Sequence, residues 1–450
     1  MEIKRTLSST SDTSIKTQRL SSSTTSNSTN WSDLVPELLQ LILSKLLSVQ
    51  IIRFKSVCSS WNRVAESYIS SSFYTPLVSE TPCLLLPAQD YDPDDCHYRT
   101  TDSRCFYSLE DKKEYNLTNM SNLFNYRDCC IGSSHGWLIL LHNSKPNFPC
   151  LLNSFSNVPN SPFLVNPFSK VRIELPLLNW HQVEDEYVVF SKAILLSDPS
   201  HDKDFRIVLI KHEFHFSKSF FFFKKGDPGW ITVDNDENKF YIDIISRDNH
   251  LYALTTDFCI EAWDFRGDLL PVKIRKIHPS ITENLSESLR INIDLYVTQS
   301  YLVDSCGDLL LAVRFIGNFV NQEGEVVDES HLVDDELNYP LVSPYQTKMF
   351  HVYKLDSSEQ NWIEVDNLHN QVLLVGLNQS MSFSAVEISG CQRNSIYFSD
   401  DNWEEMRAAF SHGGHDFGVF SLKNKSVELF NWHNLGRINP SPIWIIPNPW

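Results

Sequence analysis

The chain has 450 residues, 42% hydrophobic and 12% aromatic, enough for two domains or one large repeat architecture. Its 38 Lys and Arg against 56 Asp and Glu leave a formal charge of −18, a field that repels phosphate backbones and anionic lipid surfaces. No run of about eighteen apolar residues occurs, which argues against a membrane-spanning helix.

Residues 1–30 form a polar tail in which 16 of 30 positions are Ser or Thr, with Lys4, Arg5, Lys16 and Arg19 among them. It has nothing to bury, and reads as a disordered, phosphorylatable segment. An Arg-containing, Ser-rich, acid-poor organelle transit peptide is the alternative; the apolar core of a secretory signal is missing.

From Trp31 the pattern turns helical. Ser32 and Asp33 are N-cap residue types, and Pro36 suits a first helical turn because its missing N–H has no partner there anyway. Between Glu37 and Leu47 lie Leu38, Leu39, Leu41, Ile42, Leu43, Leu46 and Leu47, apolar residues enough for two helical faces rather than one. Such a helix packs inward on one side and against another protein on the other. Ile51, Ile52, Phe54, Val57, Cys58, Trp61, Val64, Ala65 and Tyr68 then recur at three- and four-residue steps.

The run Leu34-x-Pro36-Glu37-Leu38, followed by Ile42, Leu46 and Val57-Cys58-Ser59-Ser60-Trp61, resembles an F-box. It departs from the usual Leu-Pro start, because Val35 stands between Leu34 and Pro36. The resemblance implies three short helices over 31–75 that dock onto a Skp-type adaptor and through it a cullin. The adaptor-binding residues it implies are Leu34, Pro36, Leu38, Leu39, Ile42, Leu46, Val57, Cys58 and Trp61.

Residues 76–450 show short aromatic and β-branched runs separated by turn signals. Strands are expected at 83–87, on both sides of Ser134-His135-Gly136, at 163–168, and at 171–176 where apolar and polar residues alternate. The run Phe220-Phe221-Phe222-Phe223 ends in Lys224-Lys225 and a Gly226-Asp227-Pro228-Gly229 turn. That fits a fully buried strand with protective flanking charge, and a membrane-inserting loop is the rival. Residues 240–254 read as a hairpin about Arg247-Asp248-Asn249-His250. Residues 316–345 are acidic and loop-like, a candidate surface for a basic partner. More than a dozen short strands in hairpin order suggest radial repetition, a β-propeller with blades of about 40–50 residues. Blade number cannot be phased from these degenerate repeats.

Several of these stretches, in order, resemble a plant F-box family with a divergent kelch-like propeller: Ser134-His135-Gly136-Trp137-Leu138, Leu164-Val165-Asn166-Pro167-Phe168, Tyr301-Leu302-Val303-Asp304 and Asn394-Ser395-Ile396-Tyr397-Phe398-Ser399-Asp400-Asp401. The resemblance implies a small all-α F-box followed by a large all-β propeller domain. It also implies a non-catalytic substrate receptor of an SCF-type ubiquitin ligase, in the cytoplasm or nucleus. An F-box scaffold without a ubiquitination role, or a propeller enzyme or ligand-binding protein, are the alternatives.

Signs of chemistry in the chain itself are weak. Gly132-Ser133-Ser134-His135-Gly136 satisfies G-x-S-x-G, but a nucleophile elbow needs strand–turn–helix, and a strand-like run follows here. Ser411-His412-Gly413-Gly414-His415-Asp416 offers two imidazoles and a carboxylate, and reads more simply as a loop than as a zinc site. Asp94-Asp95, Asp334-Asp335 and Asp400-Asp401 read as solvated turn residues. The ten cysteines contain no Cys-x-x-Cys pair, and free thiols are expected of a cytosolic chain. No catalytic residue, cofactor or metal is assigned.

Overall fold

Three short helices lead the chain: α1 (Pro36–Leu43), α2 (Ser48–Lys55) and α3 (Ser59–Ile69), preceded by a 3₁₀ turn at Trp31–Asp33. In this computed structural model the described residues are 31–71, 81–87, 104–142, 151–153, 161–178, 187–213, 219–233, 240–279, 295–328, 345–402, 413–430 and 438–448, apart from one to three positions at a few points within them. The polar tail, most of the acidic 316–345 segment, Asp94-Asp95 and Asp334-Asp335 lie outside them. Ser32 and Asp33 do not cap α1. The N-cap is Val35, with extended backbone and no side-chain cap, because the 3₁₀ turn takes up the two polar residues and Pro36 opens the helix.

The strands fall into six sheets. The first blade contains Cys83–Pro87, Arg104–Ser108 and Lys113–Leu117, the second Asp128–Ser134, Trp137–His142, Pro162–Asn166 and Val171–Glu174. The third holds Tyr187–Leu195, Arg206–Glu213, Ser219–Lys224 and Ile231–Val233, edged by Leu151–Asn153. Tyr241–Arg247, His250–Thr255, Ile260–Asp264 and Val272–Ile277 build the fourth; Tyr296–Ser305, Asp308–Gly317, Gln346–Asp356 and Asn361–Glu364 build the fifth. In the sixth, Gln371–Val375 runs parallel to Ser395–Phe398, with Met381–Ser384 on one side and Gly418–Ser421 and Ser426–Leu429 on the other.

The C-terminal strand Ile443–Ile445 completes the first blade by pairing with Cys83–Pro87, Trp444 opposite Leu84. The first and last described strands thus meet in one sheet, which leaves the ring without a free seam. Six apolar clusters then lie between successive blades, each sheet contributing to two of them, the last joining the sixth blade to the first. The molecule is a closed six-bladed propeller.

This layout explains the phenylalanine run. Phe221 and Phe223 pack into the joint with the second blade, Phe220 and Phe222 into the joint with the fourth, all four almost fully buried. A strand in the middle of a blade is covered on both faces, so it reads as continuously apolar instead of alternating. The hairpin at 241–255 has the expected two-residue turn, with Asp248 at φ 50°, the left-handed backbone such turns require.

At the G-x-S-x-G stretch, Ser133 and Ser134 end a strand, and His135-Gly136 make the turn at φ 53° and 80°. Ser134 Oγ donates to Gln379 Oε1 at 3.1 Å, which spends it structurally. Gly132 is required for a different reason: a Cβ there would lie 2.0 Å from the carbonyl oxygen of Ala193 on the neighbouring blade. Gly132→Ala is expected to lower the thermal midpoint by several degrees, because main chain rather than a flexible side chain has to yield. A melting curve without that shift overturns this reading.

Among the described residues seven cysteines are free thiols, whereas Cys129 is disulfide-bonded. The expectation of free thiols throughout therefore fails at Cys129, and the absence of Cys-x-x-Cys spacing says nothing against a bridge between distant positions.

Candidate functional site: an exposed apolar face on the helical unit

The three helices have a small core of their own: Leu39 and Leu43 of α1, Ile51 and Phe54 of α2, Ala65 and Ile69 of α3. Leu39 and Leu43 are one helical turn apart and point inward together. Leu38, Leu41 and Ile42, also spaced three and four apart, form a second stripe, 48%, 62% and 38% exposed. Val35, Val57 and Trp31 are exposed apolar residues as well. Trp61 stacks on Phe54 at 4.4 Å and donates from Nε1 to the carbonyl of Trp31 at 3.1 Å, tying the 3₁₀ turn to α3.

The residues implied as adaptor contacts therefore divide. Pro36, Leu38, Ile42 and Val57 are exposed. Leu34, Cys58, Leu46 and Trp61 are half-buried, and Leu34, Leu46 and Trp61 lean on the internal core. Leu39 is 1% exposed and belongs to that core, not to the outer face. Trp31, Val35 and Leu41 are exposed apolar residues outside the implied set, and Leu41 stands three residues after Leu38 on the same stripe.

The helical unit also touches the propeller. The Arg53 guanidinium lies 4.1 Å from the centre of the Tyr115 ring on the outer strand of the first blade, and Ile52 packs against the cluster between the first two blades.

Inside the ring, polar groups are tied to one another. Lys192 of the third blade pairs with Asp243 of the fourth, and Asp243 Oδ2 also accepts the Leu302 N–H of the fifth at 2.7 Å. Burial pushes the Asp243 carboxyl upward, and the Lys192 charge works against that shift. The segment 376–380 from the sixth blade reaches across. Lys192 donates to the Gly376 carbonyl, the Gln379 N–H to Ser133 O at 2.8 Å, and Gln379 Nε2 to Ser246 O at 3.3 Å. The protein's own chain thus crosses the axis that many propellers leave open to ligands.

Between the fifth and sixth blades sits fully buried Arg314. Its Nε donates to Thr347 Oγ1 at 2.7 Å, Nη1 to Ser399 O at 2.8 Å and Asp401 Oδ1 at 3.0 Å, and Nη2 to Asp416 Oδ2 at 2.9 Å. The Phe398 ring lies 4.6 Å away. Asp400 accepts from Tyr345 Oη at 2.7 Å. Asp400 and Asp401 are accordingly not solvated turn residues; they are tied into this joint. The nearby His415 accepts the Gly413 N–H at Nδ1 and faces the Tyr345 carbonyl with Nε2 at 2.9 Å, so both its ring nitrogens are in use, while Ser411 and His412 lie outside the described residues.

Burial pushes the Asp401 carboxyl up to about 6, outweighing the opposing pull of Arg314. The unfolded chain releases this proton near pH 4, so the folded state binds the extra proton between about pH 4 and pH 6. The corresponding stability is fully present below that window and is lost as pH rises through it. Denaturant titrations from pH 4 to pH 7 are expected to show this decline, and Asp401→Asn to flatten it. An unchanged slope in the variant would locate the effect elsewhere.

A small helical unit with its own core and a bare apolar face, fixed to a closed ring whose axis is crossed by its own chain, defines a binding protein made of a docking unit and a propeller. Comparison with known families agrees: residues 31–70 match the F-box domain and residues 106–421 the KIB1-4 β-propeller. The chain belongs to the plant F-box proteins that carry a KIB1-4 β-propeller. Two relatives from Arabidopsis thaliana are F-box protein SKIP23 and F-box/kelch-repeat protein KIB1. The first is 26% identical over 419 residues, covering 89% of this chain and 91% of that protein. The second is 25% identical over 406 residues, covering 89% and 83%.

Proposed function

We propose that the face built by Val35, Leu38, Leu41, Ile42 and Val57 docks a Skp-type adaptor, and through it a cullin, making this chain the substrate receptor of an SCF-type ubiquitin ligase. The observation that carries this reading is the second apolar stripe on α1, left uncovered beside a complete internal core. Each large side chain fully covered there contributes roughly 1.5–3 kcal/mol before association costs. The propeller would hold a target protein through its loops, and catalysis belongs to other subunits. Proximity alone raises the rate, so this chain needs no active site. This reading places the assembly in the cytoplasm or nucleus.

Co-purification with a Skp-type adaptor tests the docking face. Leu38→Asp with Leu41→Asp changes only exposed positions and is expected to abolish adaptor capture while the melting curve stays that of the parent. Equal capture by parent and variant, or none by either, removes the proposal. A ubiquitination assay on propeller-bound proteins then separates a receptor from a scaffold.

A further inference from the structure

At the tip of the hairpin joining His250–Thr255 to Ile260–Asp264, Asp257 and Cys259 turn toward His278, the residue just beyond Val272–Ile277. Ile260 pairs with Ile277 across these strands, so the same antiparallel register carried one step outward sets Cys259 opposite His278. Cys259 Sγ lies 3.0 Å from His278 Nδ1 and 3.2 Å from Asp257 Oδ2. All three donor atoms fall within 4.8 Å of one another. Donors around a tetrahedral zinc, each about 2.0–2.3 Å from the metal, stand roughly 3–4 Å apart. The two distances from the sulfur already have that spacing.

Its surroundings hold it in place. Thr255 Oγ1 donates to the other carboxylate oxygen of Asp257, turning Oδ2 toward the sulfur. Phe258 has φ 57°, and its carbonyl accepts Trp362 Nε1 of the fifth blade at 3.2 Å, which pins the turn. A carboxylate fixed by a neighbour is what orients a metal ligand. Cys259 is buried while Asp257 and His278 are exposed, so a fourth position faces solvent.

We propose that Asp257, Cys259 and His278 form a zinc site at the joint of the fourth and fifth blades, with three protein ligands and an outward-facing fourth position. Sulfur and imidazole donors select a borderline-soft transition ion over calcium or magnesium. A hydrolase-like triad is a poorer reading, because here the carboxylate meets the thiol and not the imidazole. Sequence spacing conceals the site: Asp-x-Cys and a histidine 19 residues later match none of the usual paired-ligand patterns.

Cobalt provides the test. Intact chain, stripped with chelator and kept reduced by a phosphine, is expected to bind one equivalent of Co²⁺. The signature is a thiolate-to-cobalt charge-transfer band with tetrahedral d–d bands, bleached by Zn²⁺. Cys259→Ser removes the charge-transfer band. His278→Ala, a change at an exposed ring, weakens binding by roughly 100-fold or more, and Thr255→Val by roughly 10–100-fold through the misaligned carboxylate. No band at stoichiometric cobalt overturns the proposal. So does a band that persists in a folded Cys259→Ser variant, which would place the metal on another thiol such as exposed Cys306. Should Cys259→Ser fail to fold, unchanged cobalt affinity in His278→Ala overturns it equally.

Discussion

Replacing Arg314 by alanine is expected to destabilise the protein by about 3–5 kcal/mol, the cost of stranding buried carboxylates without their cation. Asp416 is fully buried and Asp401 nearly so, and both take hydrogen bonds from this guanidinium. Arg314→Met separates charge from volume: it restores most of the bulk and none of the donors. Both variants should therefore lose similar amounts in urea titration. If Arg314→Met retains the parent's stability, the network adds nothing net and packing alone holds the fifth and sixth blades together. A buried pair is weak evidence for net stabilisation against an apolar replacement, yet breaking one partner is costly. The prediction rests on that asymmetry.

Trp444→Ala is expected to cost a similar amount, about 3–5 kcal/mol, as large-to-small changes at fully buried aromatics do. Trp444 is 0% exposed and fills the joint between the sixth and first blades, near Leu84, Leu86 and Tyr397. Its position makes the loss topological as well as local, since Ile443–Ile445 is the strand that shuts the ring. Deleting residues 441–450 should be worse than the point change, giving a chain with an unpaired edge and two uncovered blade faces. Such edges recruit other chains. Light scattering of the truncated protein is the measurement; a monomeric, cooperatively melting truncation would show that closure is dispensable.

The helical unit was largely legible because its signals are local. Two stripes on α1 follow from counting three and four along the chain, and Val57-Cys58-x-x-Trp61 fixes the helix boundary nearby. Counting also separates buried Leu39 from exposed Leu38. The strands were legible for a related reason, and even the uniform Phe220–Phe223 run is what a strand covered on both faces looks like. Blade number was not legible. It depends on a strand near residue 444 pairing with one near residue 84, and on the parallel register in the sixth blade, neither of which leaves a periodic trace. The same limit hid the burial of Asp400 and Asp401. Adjacent acids after a strand look like a turn, and their partner Arg314 lies 87 residues from Asp401. Charge partners set by tertiary packing are invisible to any window read along the chain.

Under the proposed receptor role, the contact of α2 with the first blade bears on how far a bound target would wander. Arg53 over Tyr115, with Ile52 beside it, braces the helical unit against the propeller instead of leaving the two on a loose tether. A flexible connection spreads whatever it carries through a volume that grows with linker length, and the encounter frequency at its far end falls accordingly. A braced arm behaves like a crane jib. It has one bearing, and under the proposed ligase role it would present only those target lysines that fall within its arc.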